Sequence, residues 1–224
     1  MDEKAKITLS AKELELVCNT EWILTKHSVI KKVYRLFGEL SENMQQLLEK
    51  EYLFLPGSIK DTGPKISKGE NYQSLPYVML DYPRCFGRED MLAIRIFFWW
   101  GNFFSINLQV SGKYQPGLIK TLEDNFSWLQ ANQYWVCVND DPWQHHFELN
   151  NYLLIEKLTA ERFVEIIESN DFIKIGKKIP VGQWENVLPF MEKTFEVLMM
   201  FLKINFPTGE TGPSPGIPIT GFDL

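Results

Sequence analysis

Two runs of alternating side chains flank Gly101-Asn102, over residues 92–100 and 103–111, and they limit the fold of this chain more than any other feature. A glycine–asparagine pair between β-prone runs is a hairpin signal, so the centre of the fold is expected to be antiparallel β-structure. Burial then decides the register. A two-residue loop sets Trp100 opposite Phe103, and each face of the ribbon mixes apolar and polar columns. A three-residue loop that takes in Phe103 sets Trp100 opposite Phe104 and separates the faces. Leu92, Ile94, Ile96, Phe98 and Trp100 then join Phe104, Ile106, Leu108 and Val110 on one side. Arg95, Phe97, Trp99, Ser105, Asn107, Gln109 and Ser111 occupy the other. A one-residue slip exchanges the faces, so burial selects the second register.

Helices are expected on either side of this β-region. Ser10 followed by Glu13 forms a capping box that opens a short helix over 11–18. Trp22, Val29, Val33, Leu36, Leu40, Met44 and Leu47 then recur at helical spacing along one long helix, with Gly38 and Ser41 as a candidate break. Residues 55–73 gather Pro56, Gly57, Gly63, Pro64 and Gly69 and read as a mobile connector; Gly63-Pro64-Lys65 lacks the spacing of a phosphate loop.

Further strands are expected at 75–83, 134–138 and 147–158, with a helix over 116–132 and a short one capped by Thr159. Residues 172–180 alternate apolar and basic side chains, which suits an edge strand where lysines discourage sheet-to-sheet pairing. The final helix carries Trp184, Val187, Leu188, Met191, Phe195, Leu198, Met199 and Leu202. Its last two turns are apolar nearly all round, so either the N-terminal helices or a second copy of the chain must cover the far side. The expected fold class is α+β: an antiparallel sheet of about five strands with N- and C-terminal helices packed on it, in a single domain over 1–205. Residues 206–224 hold four prolines and four glycines and form an extended tail with apolar anchors.

Charge narrows the function. The chain carries 23 Lys and Arg against 29 Asp and Glu, a net charge of -6, which gives no pull toward phosphate backbones or anionic lipid. Neither nucleic acid nor membrane is an expected partner. No apolar run approaches the ~20 residues of a membrane span and the first residues lack a signal-like apolar stretch, so the expected location is cytoplasmic. Cys18, Cys85 and Cys137 are odd in number and widely spaced, which fits free thiols and neither a disulfide framework nor a zinc site.

Two clusters are candidate binding residues. Arg95, Trp99 and Asn107 share the polar face of the hairpin, where stacking, cation–π contact and hydrogen bonding suit a planar or anionic small molecule. Trp143, His145, His146 and Glu148 lie in a turn-rich stretch behind Asp140 and Asp141. If a strand begins there, His146 and Glu148 share a face and supply imidazole and carboxylate for acid–base work. The spacing matches no metal motif and adjacent histidines on a strand point apart, so no metal site is assigned and no cofactor is indicated. The plainer reading of Arg95 is a salt bridge to a nearby carboxylate. Asp140 and Asp141 serve equally well as turn formers.

Three stretches, GENYQSLPYVMLDYPRCF, AIRIFFWWGNFFSINLQVSGKY and DDPWQHHFELNNY, resemble an uncharacterised family of bacterial conserved hypothetical proteins of the Bacteroidota type, over about residues 65–180. The resemblance implies a bacterial cytosolic α+β protein and carries over no catalytic residue. Two functions follow from the residues. One is a non-catalytic binding or assembly module, with homo-oligomerisation through the last helix and tail. The other is a small-molecule enzyme with a His/carboxylate site around residues 140–148.

Overall fold

The computed structural model describes residues 7–51, 59 and 61–203. The fold is α+β, built on one antiparallel sheet of seven strands in the order β1-β2-β3-β4-β7-β5-β6. The strands are β1 (Lys65–Tyr72), β2 (Leu75–Phe86), β3 (Met91–Trp99), β4 (Phe103–Ser111), β5 (Trp135–Cys137), β6 (Tyr152–Leu154) and β7 (Phe172–Pro180). The helices are α1 (Ala11–Cys18), α2 (Thr20–Glu51), α3 (Gln115–Asp124), α4 (Phe126–Ala131), α5 (Ala160–Ser169) and α6 (Val187–Lys203).

Seven strands replace the expected five or so, and β1 is the strand that sequence periodicity does not reveal. Its residues KISKGENY lie within the stretch 55–73 read as a connector, of which residues 55–58 and 60 fall outside the described residues. The strand forms because β2 offers it a partner, with Ile66 opposite Leu80 and Lys68 opposite Val78. Gly69 leaves room there for the Tyr77 ring, which a Cβ 2.5 Å away would push aside. The edge position expected of 172–180 belongs to β1, whose Lys65 and Lys68 protect it. β7 instead lies between β4 and β5, which meets it at Ile175 and Gly176 and leaves residues 177–180 with an open side. β2 also runs on through Pro83, with its ladder irregular between Asp81 and Arg84, where a missing N–H is tolerated.

The hairpin separates its faces as burial demands, through a loop one residue earlier than expected. Trp99 pairs with Phe103 and Phe98 with Phe104, so the three-residue loop is Trp100-Gly101-Asn102. Gly101 takes φ +74°, which suits glycine. Relative to the expected pairing, the partner of Phe104 moves by two residues, and a two-residue shift keeps every side chain on its face.

The helical layer lies on the apolar face. Val33, Phe37, Leu40, Met44 and Leu48 of α2 and Phe195, Leu198 and Leu202 of α6 share one core with Leu92, Ile94, Ile96, Phe98, Phe104, Ile106 and Leu108. The capping box at Ser10 forms as read, with the Glu13 amide donating to Ser10 Oγ at 3.3 Å. α2 continues unbroken through Gly38, and the Ser41 hydroxyl donates to the Gly38 carbonyl at 2.7 Å. The expected helix over 116–132 is divided at Asn125, whose side-chain amide donates to the Thr121 carbonyl at 2.8 Å and closes α3.

The apolar far side of α6 is covered within the same chain, by α2 and α3 and by Trp128 of α4, whose ring meets Phe201 with centroids 6.2 Å apart. Of the two covers expected for this helix, the N-terminal helices or a second copy, α2 supplies the first; the tail over 206–224 falls outside the described residues. Among the described residues, no helix is long and apolar enough to cross a membrane.

Candidate functional site

The second face of the sheet is polar along its middle and is where the candidate residues converge. A cross-strand row runs Asp81, Arg95, Asn107, Gly176 and Trp135, one residue from each of β2, β3, β4, β7 and β5. Arg95 donates through Nε to Asp81 Oδ1 at 2.6 Å and through its terminal nitrogen to Oδ2 at 3.2 Å. Both residues are buried, and the forked geometry satisfies the guanidinium and the carboxylate together. The salt bridge expected as the plainer account of Arg95 is therefore present.

Gly176 has a specific reason to be glycine. A Cβ there would overlap Asn107 Oδ1 and the Ile106 carbonyl oxygen. With no side chain in the way, Asn107 Oδ1 accepts the Tyr152 hydroxyl at 2.9 Å and ties β4 to β6 across β7 and β5.

Residues 138–151 cover this face. Here the expected strand over 147–158 shrinks to β6, because asparagine and aspartate side chains engage the backbone in place of a ladder. Asn139 Oδ1 accepts the Asp141 amide at 2.8 Å, Asp141 Oδ1 accepts the Trp143 amide at 2.9 Å, and Asn151 Nδ2 donates to the His146 carbonyl at 2.5 Å. Asp141 thus acts as a turn former. With no strand at 147, His146 and Glu148 do not form the paired face that acid–base chemistry needs. Glu148 is exposed, whereas His146 is buried beneath the segment.

Three groups pin the segment down. The Tyr72 hydroxyl oxygen accepts the amides of His145 at 2.7 Å and His146 at 3.0 Å. His146 Nδ1 lies 3.0 Å from the same hydroxyl and 3.1 Å from Gln73 Nε2, while Nε2 faces Asn150 Oδ1 at 3.2 Å. This bonding assigns the imidazole proton to Nε2. Lys174 is the third anchor, only 1% exposed. Its Nζ donates to the carbonyls of Pro142 at 2.9 Å and Gln144 at 2.6 Å and lies 3.5 Å from His145 Nδ1.

Burial sets the protonation of this layer. It pushes the Lys174 ammonium down to about 7, with the Arg95 charge acting the same way. Burial also holds His145 well below its ordinary range, reinforced by the charges of Lys174 and Arg95, so its imidazole is neutral at pH 7. The Cys137 thiol and the Tyr152 hydroxyl are both raised by burial and stay protonated. His145 stacks obliquely on Phe97 with centroids 4.8 Å apart.

Of the residues named from sequence, Arg95, Asn107, His145 and His146 come together on one face. Trp99 is buried at the margin, with its Nε1 donating to the Tyr72 carbonyl at 3.2 Å. Trp143 caps the guanidinium of Arg95 at 5.1 Å and is 50% exposed. Sequence reasoning missed Lys174, Asp81 and Tyr72. The phase of FIKIGKKIP does place Lys174 opposite Ile173 and Ile175, but only the pairing of β7 with β4 sets it beside Gln109 on the covered face. Among the described residues, no group of three or more His, Cys, Asp or Glu is arranged to hold a metal ion. Fold and site together define an antiparallel-sheet α+β protein with helices on one face and a pinned segment on the other. No family model, curated protein or solved structure matches the chain.

Proposed function

We propose that this chain is a non-catalytic binding and assembly module that pairs with a second copy through its N-terminal helical segment. The observation that carries this reading is the use to which the candidate catalytic groups are put. Arg95, Asn107, His145, His146 and Lys174 are all buried and bonded to their own chain, and among the described residues no buried side-chain nitrogen or oxygen lacks a partner. Such groups hold a segment in place; they offer no free base or nucleophile to a substrate.

The N-terminal segment is the opposite case. α1 buries none of its residues. Leu14, Val17, Ile23 and Leu24 stand in solvent, Val17 at 68% and Leu24 at 66% exposure. Exposed apolar side chains gathered on two successive helices suit protein–protein contact, and such a surface can pair with its own copy about a two-fold axis. All three cysteines are free thiols, which supports a reducing, cytosolic compartment.

Light scattering on the full chain tests the reading. The parent is expected to be dimeric at about 100 µM and to dissociate on dilution, while the Leu14→Ser/Val17→Ser/Leu24→Ser variant stays monomeric. A parent that is monomeric at that concentration overturns the assembly reading.

A further inference from the structure

A groove of about 500 Å³ lies beside the second half of β7, at the margin of the pinned face. β4 accompanies β7 along its whole length, from Phe172 to Pro180, whereas β5 meets it only at Ile175 and Gly176. Residues 177–180 therefore have a strand neighbour on one side alone, and the groove occupies the other. Lys177 and Lys178 both line it. Being consecutive in a strand, they reach it from opposite faces of the sheet.

The two ammonium groups have aromatic surroundings and, among the described residues, no counter-ion. Lys178 Nζ lies 4.9 Å from the Trp135 ring centroid, and Lys177 Nζ lies 5.6 Å from that of Phe190; both rings also line the groove. Neither lysine forms an ion pair with a carboxylate among the described residues. Glu148 attracts Lys178 only from beyond ion-pair distance, and Lys193 of α6 repels Lys177. In a chain of net charge -6, two half-buried lysines with no carboxylate partner among the described residues are a local reversal of sign. Burial has already stripped them of part of their water, as the lowering of both ammonium groups reflects. Gln133 and Gln183 add amides to the lining.

We propose that this groove binds a small organic anion, a carboxylate carried on a flat aromatic body. The carboxylate completes the charge of Lys177 and Lys178, and the aromatic body packs against Trp135 and Phe190. The volume lies in the range of small-molecule sites, and an apolar wall with a few convergent polar groups is their usual construction.

Calorimetric titration of the full chain with 2-naphthoate, and with the uncharged 2-naphthalenemethanol, tests this. The acid is expected to bind saturably and at least about tenfold more tightly than the alcohol, since the lysines recognise charge. Lys178→Gln is expected to weaken the acid about tenfold and leave the alcohol unchanged, while Lys178→Arg retains the parent preference. Absence of saturable 2-naphthoate binding up to about 5 mM overturns the proposal, as does equal affinity for the alcohol or a Lys177→Gln/Lys178→Gln variant that binds like the parent. The acid–alcohol comparison needs no variant, so it decides the matter even where a substitution unfolds the chain.

Discussion

Lys174 shows how a charged side chain becomes a structural clamp. Its long stem crosses the polar face and its amine ends between two carbonyl oxygens that the 138–151 segment cannot satisfy within itself. Such burial has a consequence for pH. In the folded chain Lys174 titrates at about 7 against an ordinary 10.5, so between these values the unfolded state binds the extra proton and stability rises with pH. His145 also has a lowered pKa, well below the ordinary 6.5, so below 6.5 the unfolded state again binds more protons and stability falls as pH falls. Each group contributes at most about 1.4 kcal/mol per pH unit inside its own window. Urea denaturation of the parent is therefore expected to give a stability that climbs from pH 5 to 6.5 and again from pH 7.5 to 9.5. His145→Asn is expected to flatten the acid branch and Lys174→Met the alkaline branch; parallel profiles in all three proteins would disprove the assignment.

Between elements, a close fit lies where β4 runs beside β7. Gly176 lets the two strands carry Asn107 Oδ1 toward Tyr152, and a methyl group there would overlap both that oxygen and the Ile106 carbonyl. The carbonyl belongs to the backbone of a central strand and the amide oxygen is held by Tyr152, so neither yields cheaply. Gly176→Ala is expected to cost roughly 2 to 3 kcal/mol in chemical denaturation. Tyr152→Phe, which removes the hydroxyl and keeps the ring, is expected to cost about 1 kcal/mol, with Asn107 left to Ser105 alone. A Gly176→Ala chain as stable as the parent would show that the strands separate without penalty.

Taken whole, the molecule is three layers: helices, sheet, and a non-repetitive segment that does for the second face what helices do for the first. The aromatic cluster of Phe97, Trp99, Phe103, Phe147, Tyr152 and Phe172 forms the apolar part of that second interface. Phe147 and Tyr152 stack face to face at 4.2 Å and 4°. Because the segment is held by point contacts rather than a ladder, its stability depends on a few bonds. Lys174→Met orphans two carbonyls and is expected to cost roughly 2 to 4 kcal/mol. By hydrogen exchange, the amides of 139–151 should lose protection in that variant while those of α2 and α6 keep theirs. Equal loss in both layers would mean that the segment is not an independent unit.

The amino-acid sequence by itself determined the hairpin and its separated faces, the capped helices, the apolar stripe of α2 and the α+β class, because each rests on periodicity or on contacts within a few residues. It also brought out Arg95, Asn107, His145 and His146 as unusual, since polar side chains in apolar surroundings are visible in the residue order alone. Tertiary structure alone decided what those residues do. β1 becomes a strand only because β2 lies alongside, and β7 gains a second neighbour only because β5, itself paired with β6, returns beside it. The same return buries Lys174 and closes the face over the histidines, so a stretch that reads as a lysine-guarded edge becomes the anchor of the second layer. Pairing between strands remote in sequence leaves little trace in local periodicity, because a strand's two edges offer the same backbone groups whatever its side chains are.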